Sequence, residues 1–214
     1  PADYQLTLEN GLTAYVAESN QVPLVTMSAF IRAGKVNDEN QGAAEALRDA
    51  LRNSGPSGMG SDEFSASLEQ MTASLTVNVG DEWTEVSLNV PTEDLDQALS
   101  LFGGILRNPS ISDANIERAA RGAAPESEPA LYEGSMSVAV ERFHEILYDG
   151  HPYGEVPTSD DYDDLDVDDV ADFRARYFVP GNVTLAVAGA IDVDDINNRI
   201  DASFGDWSAA DVPE

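Results

Sequence analysis

Four stretches of this chain place apolar residues at every second position: Val25, Met27, Ala29 and Ile31; Leu75, Val77 and Val79; Val86, Leu88 and Val90; Val183, Leu185 and Val187. Successive side chains of a strand point to opposite faces, so each stretch buries one face and leaves the other polar. A sheet built this way needs a cover on one side only. Helical spacing supplies that cover at Ala44, Leu47 and Leu51, at Phe64, Leu68 and Met71, and at Leu95, Leu99, Phe102 and Leu106. Val170, Phe173, Tyr177 and Phe178 form a further helix face. Asn10-Gly11 is a two-residue turn signal that makes the start a β-hairpin, and Gly80 to Trp83 closes a second one. The order is three strands, two helices, two strands, several helices, then strand and helix. It predicts an α+β fold with a mostly antiparallel sheet covered by helices on one face. No boundary or repeat divides residues 1–214, which read as one domain.

The boundaries follow from local chemistry. Ser61 and Thr92 are the expected caps of two helices whose first turns are acidic. A helix from Asp113 through Ile116 and Arg121 is expected to break at Gly122 and Pro125, and helical spacing resumes from Leu131 to Tyr148.

Charge excludes some functions. Forty acidic against eleven basic residues give a formal charge of −29, and Lys35 is the only lysine. There is no basic cluster of the kind nucleic acid requires, so no nucleic-acid partner is expected. No apolar run is long enough to span a membrane, and no cysteine is present. Pro1 reads as a processed or excised start. Self-repulsion of this size is relieved by screening, which points to a protein adapted to high salt. Stability is therefore expected to fall between molar and millimolar KCl; a denaturation series with no such fall contradicts the expectation.

One helix carries the most informative polar stripe. In Gly42 to Gly55 the residues Glu45, Arg48, Asp49 and Arg52 share a face opposite Leu47 and Leu51. Two histidines at 45 and 49 with a carboxylate at 48 would make a zinc site, because imidazoles four apart converge on one tetrahedral ion. The residues present are Glu45, Arg48 and Asp49. A permanent cation at 48 repels a metal and cannot act as a base. The plain alternative is two ion pairs three residues apart, Glu45 with Arg48 and Asp49 with Arg52.

Other motifs fail on spacing. The glycine-rich loop Asn53 to Gly60 is followed by no Lys-Ser/Thr pair, so it is no phosphate loop. His144-Glu145 and His151 are separated by helix-ending Gly150 and Pro152, which leaves His144 a packing or surface histidine. Asp160 to Asp169 contains seven aspartates but lacks the glycine and closing glutamate of a calcium loop, and reads as a solvated helix start.

Taken in order, Asn10-Gly11-Leu12, Ile31-Arg32-Ala33-Gly34, Gly42-Ala43-Ala44, Leu106-Arg107-Asn108-Pro109, Gly150-His151-Pro152-Tyr153-Gly154 and Tyr177 to Asn182 resemble the pitrilysin/insulinase zinc metallopeptidases. That family includes mitochondrial processing peptidases and bacterial zinc proteases. The resemblance implies an N-terminal-type domain of a half-clamshell that encloses peptides, with a second homologous domain following residue 214. Active members carry His-x-x-Glu-His at the places held here by Glu45, Arg48 and Asp49. They take a third ligand from the region matching Glu126. The resemblance therefore implies a non-catalytic half or subunit, without zinc, that holds a peptide or unfolded polypeptide beside a homologous active metallopeptidase. Two alternatives remain: an atypical hydrolase holding a hard cation through Glu45, Asp49 and Glu126, or a peptide-binding or assembly module with no peptidase partner.

Overall fold

The computed structural model describes residues 4–123, 139 and 143–212. Strands β1 (Tyr4–Thr7), β2 (Thr13–Glu18), β3 (Leu24–Ile31), β4 (Ser74–Val79), β5 (Thr84–Pro91) and β6 (Val183–Gly189) form one sheet in the order β1-β2-β6-β3-β5-β4. Its pairs are antiparallel except β2 with β6, which run parallel. A parallel partner needs a long crossover, and the chain between β2 and β6, which includes β3 to β5 and most of the helices, provides it. The helices are α1 (Ala43–Asn53), α2 (Ser61–Gln70), α3 (Leu95–Arg107), α4 (Asp113–Ala123), α5 (Ser159–Asp164), α6 (Val167–Tyr177) and α7 (Val193–Phe204); residues 143–147 are also helical.

The alternating residues do what their period requires. Val25, Met27, Ala29 and Ile31 are buried together with Val86, Leu88, Val90, Leu185 and Val187. Phe64, Phe102, Phe178 and Phe204 from the loops and helices complete the core. The predicted α+β sheet with helices on its apolar face is the observed architecture. The other face is unlike the rest of the surface. The six strands contain only two charged residues, Glu18 and Glu85. On that face Ser28 bonds Ser87 at 2.9 Å, the Asn89 amide donates to Thr26 at 2.9 Å, and Tyr15 and Phe30 are exposed.

Local differences from the sequence expectations have clear causes. The first hairpin closes through Leu8, whose carbonyl accepts from Gly11 while its N–H donates to Leu12, so the turn is wider than two residues and only Gly11 is left-handed. Gly60 flanks α2 and Ser61 is its first helical residue, with no side-chain cap. Thr92 does not cap either; its hydroxyl donates to the Ala190 carbonyl. Gly122 lies within α4 and does not break it, because a single glycine costs a helix only about 1 kcal/mol against alanine. Pro125 and most of Leu131–Tyr148 lie outside the described residues. The aspartate run caps helices. Asp161 returns to the Thr158 N–H at 2.7 Å, and Asp166 accepts from Asp168 and Asp169 at 2.9 and 3.0 Å. Among the described residues no helix is long and apolar enough to cross a membrane.

Candidate functional site

Helix α1 enters the core through Gly42, which has φ 102°. Only glycine fits here twice over, since a Cβ would also fall 2.6 Å from Tyr162 Cε1. The first turn of a helix leaves backbone N–H groups without partners. Asp38 satisfies two of them, accepting from Gly42 at 3.1 Å and Ala44 at 3.0 Å. Asp38 is only 8% exposed, and its Oδ1 has no partner among the described residues. Burial pushes its carboxyl up to about 6, against the pull of the two N–H groups. Ala43, Ala44, Ala46, Leu47, Ala50 and Leu51 are buried in the core, and the predicted polar stripe lies on the remaining face, half-buried at Glu45, Arg48 and Asp49.

Glu45 and Arg48 pair as expected, with Arg48 Nε 2.7 Å from Glu45 Oε2. The contact is an ion pair without a well-aligned N–H, since Nε is buried and makes no hydrogen bond. Lys35 completes the group at 3.5 Å from Glu45 Oε1.

The expected Asp49–Arg52 pair is replaced by a longer-range one. Asp49 Oδ1 accepts from Arg118 Nε and from Asn115 Nδ2, both at 2.8 Å, and Arg118 Nη2 lies 2.7 Å away. Asp49 Oδ2 accepts from Asn53 at 2.8 Å. Asn115 is fully buried, donates also to Ser54 and accepts from Ser112. The polar stripe thus faces α4, which packs on α1. Burial pushes the Asp49 carboxyl up, but the donors from Arg118, Asn115 and Asn53 outweigh it and hold the group below the ordinary carboxylate value.

This donor set does not suit zinc or a hard cation. Both Asp49 oxygens are already hydrogen-bonded, Glu45 is paired with two cations, and the Arg48 charge would lie beside the ion. Among the described residues no group of three or more His, Cys, Asp and Glu is placed to hold a metal. Glu126 lies outside the described residues.

A cavity of about 210 Å³ opens beside Glu45 and Arg48, bounded also by Lys35, Val156, Pro157 and Tyr162. Tyr162 is 5% exposed, and burial, reinforced by the Glu45 and Asp38 charges, pushes its phenol up to about 12. A larger cavity of about 510 Å³ lies between the Asn37–Asn40 segment and α6, and includes none of positions 45, 48 and 49. His144 is on the surface, with its ring edge-on to Tyr148. Neither Lys35 nor Tyr162 carries a local pattern that ties it to α1. Asp38 carries none either, since it lies four residues before the Gly42 N-cap and not at the position where an aspartate marks a helix start.

Comparison with known proteins places the chain in a family. A family model described as insulinase (peptidase family M16) matches residues 14–157, and one described as the peptidase M16 inactive domain matches residues 164–214. The β subunit of the mitochondrial-processing peptidase from Rattus norvegicus is 24% identical over 214 residues, covering 96% of this chain and 43% of that protein. Subunit 1 of the cytochrome b-c1 complex from Bos taurus is 25% identical over 191 residues, covering 86% and 39%. The chain spans less than half the length of these relatives. A solved protease from Helicobacter pylori superposes with a TM-score of 0.83 at 17% identity, over 99% of this chain and 52% of that one. A peptidase M16 inactive domain from Pseudomonas fluorescens does so with a TM-score of 0.84 at 18% identity, over 99% and 53%. The inactive-domain match supports a non-catalytic half. With the insulinase model matching well over half of its residues, this chain belongs to the M16 family of peptidases.

Proposed function

We propose that this chain is a non-catalytic half or subunit of an M16 assembly, enclosing peptide beside a homologous active metallopeptidase. In this reading Glu45, Arg48 and Asp49 stand where active relatives carry the zinc helix, and the motif has been lost. A second homologous domain follows outside these residues. The observation that carries the reading is that both carboxylates of the α1 stripe are taken up in ion pairs, Glu45 with Lys35 and Arg48, and Asp49 with Arg118. An acid or base at this face would first have to leave its partners, of which those of Asp49, 13% exposed, are the harder to leave. The charge-poor open sheet face also supports it. A surface meant for water in a chain of −29 would carry its share of acids; a face of Ser, Thr, Asn and exposed aromatics suits contact with another protein surface or polypeptide.

The test is metal analysis and a peptidase assay on the purified chain. The expected result is no stoichiometric zinc and no cleavage. Stoichiometric zinc with cleavage by this chain alone overturns the reading.

A further inference from the structure

The cavity beside α1 contains two cations and one carboxylate. Lys35 and Arg48 each contact a different oxygen of Glu45, so these three side chains together carry one positive charge, with Asp38 and Asp161 the further acids close enough to act on Tyr162 in the cavity wall. Lys35 is the only lysine, and the backbone fixes where it stands. Its N–H donates to the Gly80 carbonyl at 3.0 Å, and the preceding Gly34 lies so close to that turn that a Cβ would fall 2.4 Å from the Gly80 oxygen. Both cations keep free donors. The Lys35 and Arg48 side chains are 43% and 40% exposed, and among the described residues the Nη groups of Arg48 have no partner. A guanidinium with its outer edge free matches a planar carboxylate in two parallel hydrogen bonds. An ammonium at the same place adds charge.

The cavity wall selects among anions. Val156, Pro157 and the buried Tyr162 ring give it an apolar side, which suits a carboxylate on a hydrocarbon stem better than a fully polar phosphate. Its volume of about 210 Å³ is below the 300–1,000 Å³ typical of whole small-molecule sites, and fits a group of amino-acid size. Asp38 and Asp161 act on the Tyr162 wall and reduce the pull on an anion, while acids more than about 8 Å away are largely screened at about 0.15 M salt.

We propose that this cavity binds the carboxylate of a peptide, from its C-terminus or from an Asp or Glu side chain, between Arg48 and Lys35. The peptide as source rests on the enclosing role proposed above; the carboxylate recognition rests on the cavity alone.

Titration calorimetry on this chain, without a partner, tests it. The probes are acetyl-Ala-Leu as acid and as C-terminal amide, and acetyl-Ala-Glu amide against acetyl-Ala-Gln amide, which separate the two sources. At least one carboxylate probe is expected to bind about tenfold tighter than its neutral counterpart. Arg48→Gln should remove that preference, and Lys35→Gln, at a more exposed position, should weaken it. Glu45→Gln should strengthen it, because it removes the competing carboxylate. A purely structural role for these residues would not produce opposite changes. Equal binding of acids and neutral probes, no binding of any probe, or a preference that survives Arg48→Gln with Lys35→Gln overturns the proposal. Because no peptidase is present, this result is independent of whether the chain assists an active partner.

Discussion

Asp49→Ala is expected to destabilise the fold by about 2 kcal/mol, read as a fall in urea midpoint at unchanged m-value. The carboxylate is the hub of the α1–α4 contact. Its removal takes the acceptor from the Arg118 charge and from one of the two donors of the fully buried Asn115 amide, whose other donor stays on Ser54. The larger part of the loss comes from the buried Asn115 donor left unpaired, since Arg118 is 38% exposed and can turn to water. The Glu45–Arg48 pair shares only 20% and 40% exposed side chains on a single helix, and Glu45→Ala should cost below about 1 kcal/mol. A loss at Asp49 no greater than that at Glu45 would show that the network does not hold the helices together.

Asp38→Asn is expected to stabilise the protein at pH 8 and to do little at pH 4. The folded carboxyl lies near 6 against an ordinary value of 3.8, so the fold favours its protonated form. The stability tied to this group is complete below about pH 4 and is lost as pH rises through about 6. At about 1.4 kcal/mol per pH unit, the loss is on the order of 3 kcal/mol. Asparagine keeps an acceptor for the Gly42 and Ala44 N–H groups and carries no charge. Asp38→Ala removes the acceptor and should destabilise at both pH values. The measurement is the difference in unfolding free energy between wild type and Asp38→Asn across pH 4–8. A difference that stays flat contradicts the account of Asp38.

The sheet was legible because its pattern is local. A strand with one covered face has to alternate, and Val25 to Ile31 or Val86 to Val90 state that rule within a few residues. The α1 stripe was legible as well, since helical neighbours three and four apart can be read directly. Its partners were not. Asp49 reads as a match for Arg52 along the helix, yet the packing of α4 brings Arg118 to it, and nothing local distinguishes the two arginines. The same holds for Tyr162 against Gly42 and for Lys35 against Glu45, which meet only after the chain has folded. The identity of positions 45, 48 and 49 was therefore visible in the sequence, while the ion-pair network that occupies them was a property of the fold.

In the function proposed above, this chain assists a peptidase without being one. The decisive measurement is peptide cleavage by an active M16 subunit with and without this chain. The chain alone is expected to cleave nothing, and its addition is expected to raise the cleavage rate of its active partner. Cleavage by this chain alone with one bound zinc, or a partner whose rate is unchanged by its addition, would contradict it.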